Sequence, residues 1–457
     1  MPTFVQRSTL PEPAEAVFAW HARPGAFERL VPPWQQVRVV ERSGEGIGPG
    51  TRVVIELSLG PLRQQWVALH DHCVEGREFR DVQVSGPFAA WAHTHRFRPV
   101  SDEQSILEDH IEYRLPGGRV GELVAGRFAR RQLGRMFGFR HMRTRQDLAR
   151  HRGVAGRGRL RVVLTGASGL VGTAVGAFLA TGGHRVERLV RRAPEHPGEI
   201  GWDPARGTID AAALEGADAV VHLAGEPVGG RWTPERKAAI RDSRVASTTL
   251  LADTLARLAR PPRALISASA IGVYGARDDD APVDERSAPG DDFLAEVCRA
   301  WEGATAAAER AGIRVVHARI GVVLAARGGA LAQMLGPFRA GAGGVVGSGR
   351  QVLSWIALDD VVGALHHLLF ADGVSGAVNL VAPAPATNAE LTHVLGHVLG
   401  RPTVLPLPAA AVRAVFGEMG ESLLLGGVRV APRVLAASGF RFLYQALDDT
   451  LRAELGL

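Results

Sequence analysis

The sequence predicts an α/β unit built on a doubly wound parallel sheet, preceded by a smaller α+β unit. Three observations predict it. A short apolar run, Leu160–Leu164, passes through the glycine turn Gly166-x-x-Gly169-x-x-Gly172 into a helix-compatible segment, Thr173–Leu179. Further short apolar runs recur beyond it at helix-length intervals, as buried parallel strands do. The first 115 residues instead alternate strand-like stretches with glycine–proline turns, the pattern of an antiparallel sheet.

Size and composition agree with two or three domains. The chain has 457 residues, too many for one ordinary core, and is 46% hydrophobic, too apolar for disorder. No run approaches the roughly 18 apolar residues of a membrane span, and the N-terminus lacks the layout of a signal peptide. Cys73 and Cys298 are far apart, which points to free thiols and a reducing compartment, the cytoplasm. The formal charge is +6, carried by arginine with a single lysine, Lys237. A basic balance without a nucleic-acid-binding motif gives no reason to expect a nucleic-acid partner. The sequence leaves the oligomeric state open.

Residues 1–150 form the first expected domain. Phe4–Thr9 reads as an edge strand and Pro11–Ala22 as a short helix. Strands are expected at Gln36–Arg42, Thr51–Leu59, Gln65–Asp71, Arg77–Val84, Trp91–Pro99 and Ser105–Leu115. Gly48-Pro49-Gly50, Gly60-Pro61 and Gly86-Pro87 mark turns. A long arginine-rich helix, Val120–His151, closes the region, its arginines at 127, 130, 131, 135, 140, 143 and 145 read as a solvated face. His93 and His95 share one face of a strand by alternation, as do His70 and His72. His-x-His pairs bind metals. With no carboxylate or cysteine at a clear ligand spacing, the expectation is a polar strand face, or histidines satisfied in a cavity wall, and no metal. Residues 151–158 read as a linker.

Strand, small helix, antiparallel strands, long helix: this order, with Pro32-Pro33-Trp34, Gly86-Pro87-Phe88 and Trp91-Ala-His-Thr-His95, resembles the START-like, polyketide-cyclase-like helix-grip fold. The resemblance implies a cavity for an apolar ligand or lipid between sheet and helix.

In residues 159–400, the strand–turn–helix at 160–179 makes an anion site, because a helix N-terminus presents unpaired N–H groups and the positive end of its dipole. Its context predicts a dinucleotide pyrophosphate there, held by Thr165, Gly166, Ser168, Gly169, Leu170, Val171 and Gly172. The next strand, His184–Val190, ends in Arg191-Arg192 where an NAD site places an acidic residue. Two guanidinium groups suit a 2′-phosphate, so NADP(H) is preferred over NAD(H). Gly201-Trp202-Asp203-Pro204 reads as a turn or small hairpin. Ala219–Gly225 is a buried strand delivering His222, Leu223, Ala224 and Gly225 to the crevice. Thr233-Pro234 starts a helix carrying Lys237, Arg241, Ser243 and Arg244. Ala264–Ser269 is a strand leading to Tyr274-Gly275, and Ile313–Ile320 is another. Gly328–Phe338 reads as helical, Ala377–Val381 as a strand, and Thr387-Asn-Ala-Glu390 as a capping box. Residues 401–457 form a terminal module.

The glycine spacing resembles the short-chain dehydrogenase/reductase superfamily in its extended form. His222-Leu-Ala-Gly-Glu-Pro227, Asp242-Ser-Arg244, Ser267-Ala-Ser269 with Tyr274-Gly275, Cys298-Arg-Ala-Trp-Glu302, Gly347-Ser-Gly-Arg-Gln351 and Ser354-Trp355-Ile356 are similar to its atypical, epimerase-like subfamily. The resemblance implies hydride transfer between NADP(H) and a carbonyl or hydroxyl compound, with nucleotide-sugar epimerisation as a subtype. It places Ser269 and Tyr274 as catalytic candidates and Glu226, Arg244, Cys298, Gln351 and Trp355 toward a small-molecule substrate. Lys237 and Glu285 are further candidates to assist.

The chain departs from the superfamily in its acid–base pair. With the usual glutamate on Glu302, Leu294 falls at the tyrosine position and Cys298 at the lysine position. Since Lys237 is the only lysine, no Tyr-x-x-x-Lys exists. An ungapped match puts Ala270, not Ser269, at the usual serine. Two readings stand: a reductase with altered acid–base groups, or an NADP(H)-binding sensor or scaffold that turns over weakly.

Overall fold

The computed structural model describes every residue except Glu45, Gly60, Pro61 and Asp278–Asp280; the side chains of Leu59 and Leu62 are also outside the description. The Gly60-Pro61 turn therefore lies outside the described residues. The chain folds as two compact units. Met1–Gly158, with Ala177–Gly183 and Gly456, make the first; Arg159–Gly176, His184–Leu455 and Leu457 make the second.

In the first unit, strands β1 (Thr3–Leu10), β2 (Val37–Ser43), β3 (Arg52–Leu59), β4 (Leu62–Val74), β5 (Glu78–Ser85), β6 (Ala90–Ser101) and β7 (Gln104–Arg114) form one sheet in the order β1-β7-β6-β5-β4-β3-β2. Every pair in it is antiparallel. Helices α1 (Ala14–Ala22) and α2 (Ala26–Leu30) follow β1, and the 35-residue α3 (Gly118–Arg152) follows β7. Phe4, Trp91, Ile111 and Tyr113 of the sheet bury against Leu133 and Phe137 of α3, which gives the helix-grip arrangement its core. The solvated-face reading of the α3 arginines holds for Arg127, Arg130, Arg131 and Arg145 and fails for three others, of which Arg135 is half-buried over the Trp34 ring. Arg143 is buried and lies over the Phe139 ring, and Arg140 lies over Phe137. At 3.6 residues per turn Arg140 falls beside the stripe that carries Leu133, Phe137, Thr144 and Leu148 onto the sheet.

The second unit centres on an eight-stranded sheet. Its strands are β8 (Arg161–Thr165), β9 (Arg185–Val190), β10 (Glu199–Asp203), β11 (Thr208–Ile209), β12 (Ala219–His222), β13 (Ala264–Ala270), β14 (Arg314–Ile320) and, at the edge beyond β14, Gly376–Leu380. The order is β11-β10-β9-β8-β12-β13-β14 and then that edge strand, all parallel except the β10–β11 hairpin. Of the turn or small hairpin expected at Gly201–Pro204, the structure has the hairpin: β10 extends the parallel array and then turns back to pair with β11. Helices α4 (Leu170–Thr181), α5 (Ala211–Leu214), α6 (Pro234–Ala256), α7 (Phe293–Gly303) and α8 (Ala306–Arg310) connect the strands. Thr233 caps α6 with Pro234 at its first turn, and Thr387 and Glu390 make the capping box of the helix Asn388–Leu399. The chain runs outward from β8 through β9 and β10, then returns to the other side of β8 at β12. That reversal opens a crevice at the carboxyl ends of β8 and β12, where doubly wound sheets bind ligands. Among the described residues no helix is long and apolar enough to cross a membrane.

Candidate functional site

The crevice floor is set by register. His222 of β12 lies opposite Thr165 of β8 and Ser267 of β13. Thr165 Oγ1 accepts the backbone N–H groups of Leu223 (3.0 Å) and Ala224 (3.1 Å). Its lone pairs thus engaged, the hydroxyl gives its proton to Nδ1 of His222, 2.8 Å away. The Nε2–H of His222 then donates to Thr248 Oγ1 of α6 at 2.9 Å. The imidazole is therefore neutral by construction, and burial holds its pKa down at about 4. This network ties the two carboxyl ends together and fixes the path of Leu223–Gly225.

Above it lies the glycine turn. Gly166 has φ +65°, and a Cβ there would stand 2.6 Å from Leu223 O. A Cβ on Gly172 would stand 2.1 Å from Gly166 O. Both contacts are with backbone, so both positions require glycine. The turn closes with Gly169 N–H on Gly166 O (3.0 Å), and α4 begins at Leu170. The N-terminal N–H groups of α4 thereby face the space beside Leu223–Gly225. At the end of β9, Arg191 and Arg192 are exposed. Arg192 Nη2 is held by Glu199 Oε1 at 2.6 Å, so the two arginines are not equivalent.

Beyond β12, Arg244 of α6 approaches Gly225, with its Cζ 3.3 Å from where a Cβ of that glycine would be. Its guanidinium lies over Trp301, donates to Ile240 O at 2.9 Å and has its pKa lowered by burial. Glu226 is held through its N–H by Ser243 and meets Arg236 Nη1 at 3.5 Å.

Ser269 and Tyr274 are joined in a network that linear spacing does not show. Ser269 Oγ donates to Glu302 Oε1 at 2.6 Å. Arg319 of β14 clamps Glu302 with two bonds of 2.8 Å and donates to the Tyr274 hydroxyl at 3.0 Å. Tyr274 in turn donates to Asn379 Oδ1 at 2.8 Å. Burial raises the tyrosine pKa, and its ring sits in an apolar cluster with Val273, Val283, Cys298 and Val428. Burial opposes ionisation of Glu302, but Arg319 and Ser269 outweigh it and lower its pKa. Arg319 and Asn379 escaped the sequence reading; a charged residue inside the apolar run Arg314–Ile320 was the available signal.

The remaining predicted residues scatter. Leu294 and Cys298 of α7 face Gly272, just past the end of β13, and burial pushes the Cys298 thiol up to about 12. Gln351 Nε2 is satisfied by Val346 O and Leu424 O, and Trp355 is fully buried in a core with Leu324 and Leu391. Lys237 donates to Glu418 at 2.8 Å, and Glu285 accepts the N–H groups of Asn379 and Val434.

The first unit holds a separate cavity of about 500 Å³. Apolar walls that include Ile55, Trp66, Phe88 and Met136 meet a polar end formed by His21, His70, Asp81, His93, His95 and Arg140. His93 and His95 do share a face, as alternation requires. His70 and His72 do not: a bulge in β4 sets His70 opposite Asp81 and turns His72 outward to Glu78. Behind the wall, Asp109 of β7 meets His93 Nε2 (2.9 Å), His95 Nδ1 (2.6 Å) and His141 Nε2 of α3 (2.7 Å). Burial opposes charge on His93, yet Asp81 and Asp109 bring its pKa up to about 9. His95, buried and beside His93, is lowered to about 4.

Comparison with known proteins sets these sites in context. A model described as the NAD dependent epimerase/dehydratase family matches residues 162–380. A domain of unknown function matches 407–454, and polyketide cyclase / dehydrase and lipid transport matches 10–138. An epimerase family protein of Mycobacterium bovis is 44% identical over 291 residues, covering 64% of this chain and 96% of the relative. The chain belongs to the epimerase family. Both expected resemblances are thereby met, one in each unit. The crystal structure of a nucleoside-diphosphate sugar epimerase from Corynebacterium glutamicum aligns with 99% of this epimerase-family chain and 90% of its own, at 35% identity and TM-score 0.82. The human epimerase family protein solved with NADPH covers 65% of this chain and 99% of its own, at 37% identity and TM-score 0.60.

Proposed function

We propose that the second unit binds NADP(H) at the β8–β12 crevice and exchanges hydride with a carbonyl or hydroxyl compound, nucleotide-sugar-like substrates being the class to test. The observation that carries this reading is the glycine turn, where Gly166 and Gly172 let the turn, Leu223 and the start of α4 pack backbone against backbone at the crevice, closer than any side chain would allow. Gly169, Leu170 and Val171, at the N-terminus of α4, would hold the pyrophosphate, with Ser168 flanking it, while Thr165, fully buried, supports the crevice from beneath. Leu223, Ala224 and Gly225 would wall the opposite side, on a path fixed by Thr165 and His222. Arg191, with Arg192 partly drawn to Glu199, would receive the 2′-phosphate; NADPH in the human relative supports this choice. The nicotinamide, when bound, supplies or accepts the hydride. Arg244 offers positive charge beside Gly225, where it would stabilise a developing alkoxide. The name of the Corynebacterium relative supports the substrate class.

The second reading, binding without turnover, is favoured by one specific feature. The Tyr274 hydroxyl is engaged by Arg319 and Asn379, and the Cys298 thiol is buried, so neither is ready to move a proton. Fluorescence titration with NADPH and NADH, in the parent and in Arg191→Ala and Arg192→Ala, tests the cofactor. Tighter NADPH binding that weakens most in Arg191→Ala is expected; equal affinity for both cofactors would refute the phosphate assignment. Oxidation of bound NADPH by a panel of carbonyl compounds and nucleotide sugars then separates enzyme from sensor.

A further inference from the structure

We propose that Asp81, His93 and His95, at the polar end of the first unit's cavity, form a site for a divalent first-row transition ion with the ligand preferences of zinc.

The donor set is two imidazoles and a carboxylate, which suits such ions. One donor atom from each residue lies within 4.8 Å of the others. The distance from Asp81 Oδ1 to His93 Nδ1 is 3.2 Å. Zinc–nitrogen and zinc–oxygen bonds of about 2.0–2.1 Å place two tetrahedral ligands roughly 3.3 Å apart. These two atoms therefore already stand at ligand spacing. The other oxygen of Asp81 is turned to Trp91 Nε1 at 3.3 Å, which leaves Oδ1 facing the imidazole.

The surroundings match a metal site more closely than a chance cluster. Side chains of His93 and His95 are only 3% and 8% exposed. Asp109 stands behind both, 2.9 Å from His93 Nε2 and 2.6 Å from His95 Nδ1, and His141 holds its other oxygen at 2.7 Å. A carboxylate on the far side of a ligating imidazole orients the ring and raises its basicity. The carboxylates of Asp81 and Asp109 bring two negative charges to the neighbourhood of a dication. Three protein ligands opening on a cavity of about 500 Å³ leave a position for water or a ligand oxygen, as in open zinc sites. The competing occupant is a proton on His93, shared between Asp81 and Asp109.

The test uses the full-length, untagged chain, stripped with a chelator and titrated with Co²⁺, then with Zn²⁺ in competition. The expected result is one equivalent of Co²⁺ with the intense visible bands of a low-coordinate N/O site, displaced by Zn²⁺. Asp109→Asn should weaken binding by about 10- to 100-fold. Asp81→Ala, His93→Ala and His95→Ala should weaken it further, and His110→Ala, on the other face of β7, should leave it unchanged. Should a variant fail to fold, the stoichiometry and spectrum of the parent chain still decide. Substoichiometric uptake, the weak spectrum of hydrated cobalt, or unchanged binding in the folded Asp81, His93 and His95 variants would overturn the site and leave the proton as its occupant.

Discussion

The crevice of the second unit and the cavity of the first both place polar groups inside an apolar protein, but by opposite means. Thr165, His222 and Thr248 form a neutral chain in which each hydrogen bond has an evident donor and acceptor. Asp81, His93, Asp109 and His141 form a cluster built on charge, with Asp109 held well below the usual carboxylate range by its histidines against the opposing effect of burial. The neutral chain sets the path of a backbone that other molecules can touch. The charged cluster is itself the polar end of the cavity, since its members line the cavity or stand one contact behind it. The difference shows that a site made of backbone needs side chains only to hold its shape, whereas a site made of side chains depends on the side chains themselves.

Four experiments would break or sharpen this contrast. Gly172→Val drives a side chain into Gly166 O and should abolish saturable NADPH binding in a chain that keeps the parent's far-ultraviolet circular dichroism; retained binding would separate the glycine turn from the cofactor. Asp109→Ala takes the hydrogen-bond acceptor from His93 and His141 and the neighbouring carboxylate from His95, and should cost the first unit about 3–5 kcal/mol, read by urea unfolding. A loss under 1 kcal/mol by the same order-of-magnitude scale would mean the cluster is not the charged unit described here.

The neutral chain makes the third prediction. The pKa of His222 falls from 6.5 to about 4 on folding, so the unfolded state takes up more protons between those values. Stability from this residue is complete above pH 6.5 and drains away as pH falls toward 4, by about 3 kcal/mol in all. Thermal melts of the parent and His222→Gln across that range should differ in slope; parallel curves would show that His222 does not stay neutral. The smallest effect belongs to Tyr274→Phe. It removes one buried hydroxyl and should cost about 1 kcal/mol, with NADPH affinity unchanged. If a substrate is found and turnover falls by orders of magnitude in this variant, Tyr274 acts in catalysis despite its bonds.

Much of this was legible in the chain. The glycine turn, the capping threonines at 233 and 387, the buried strands and the antiparallel order of the first unit follow local rules, so neighbours in sequence decide them. Gly166, Gly172, Thr165 and His222 could be singled out because the crevice is built from segments that each carry their own signature. The assignment of Trp355 and Gln351 toward substrate fared differently: the structure finds one in the core and the other bonded to backbone carbonyls.

The sequence by itself determined the two fold classes, the place of the anion cradle and the absence of a Tyr-x-x-x-Lys pair, because each rests on spacing along the backbone or on a residue count. Only the tertiary structure decided which side chains meet. Strand pairing sets His93 opposite Asp81 on one side and near Asp109 on the other, and a bulge at Asp71 turns His72 out while His70 stays in. Folding likewise links Ser269 to Tyr274 through Glu302 and Arg319, which come from a helix and a neighbouring strand. Side chains far apart in the chain are matched by register and packing, and a one-residue shift in either exchanges the partners.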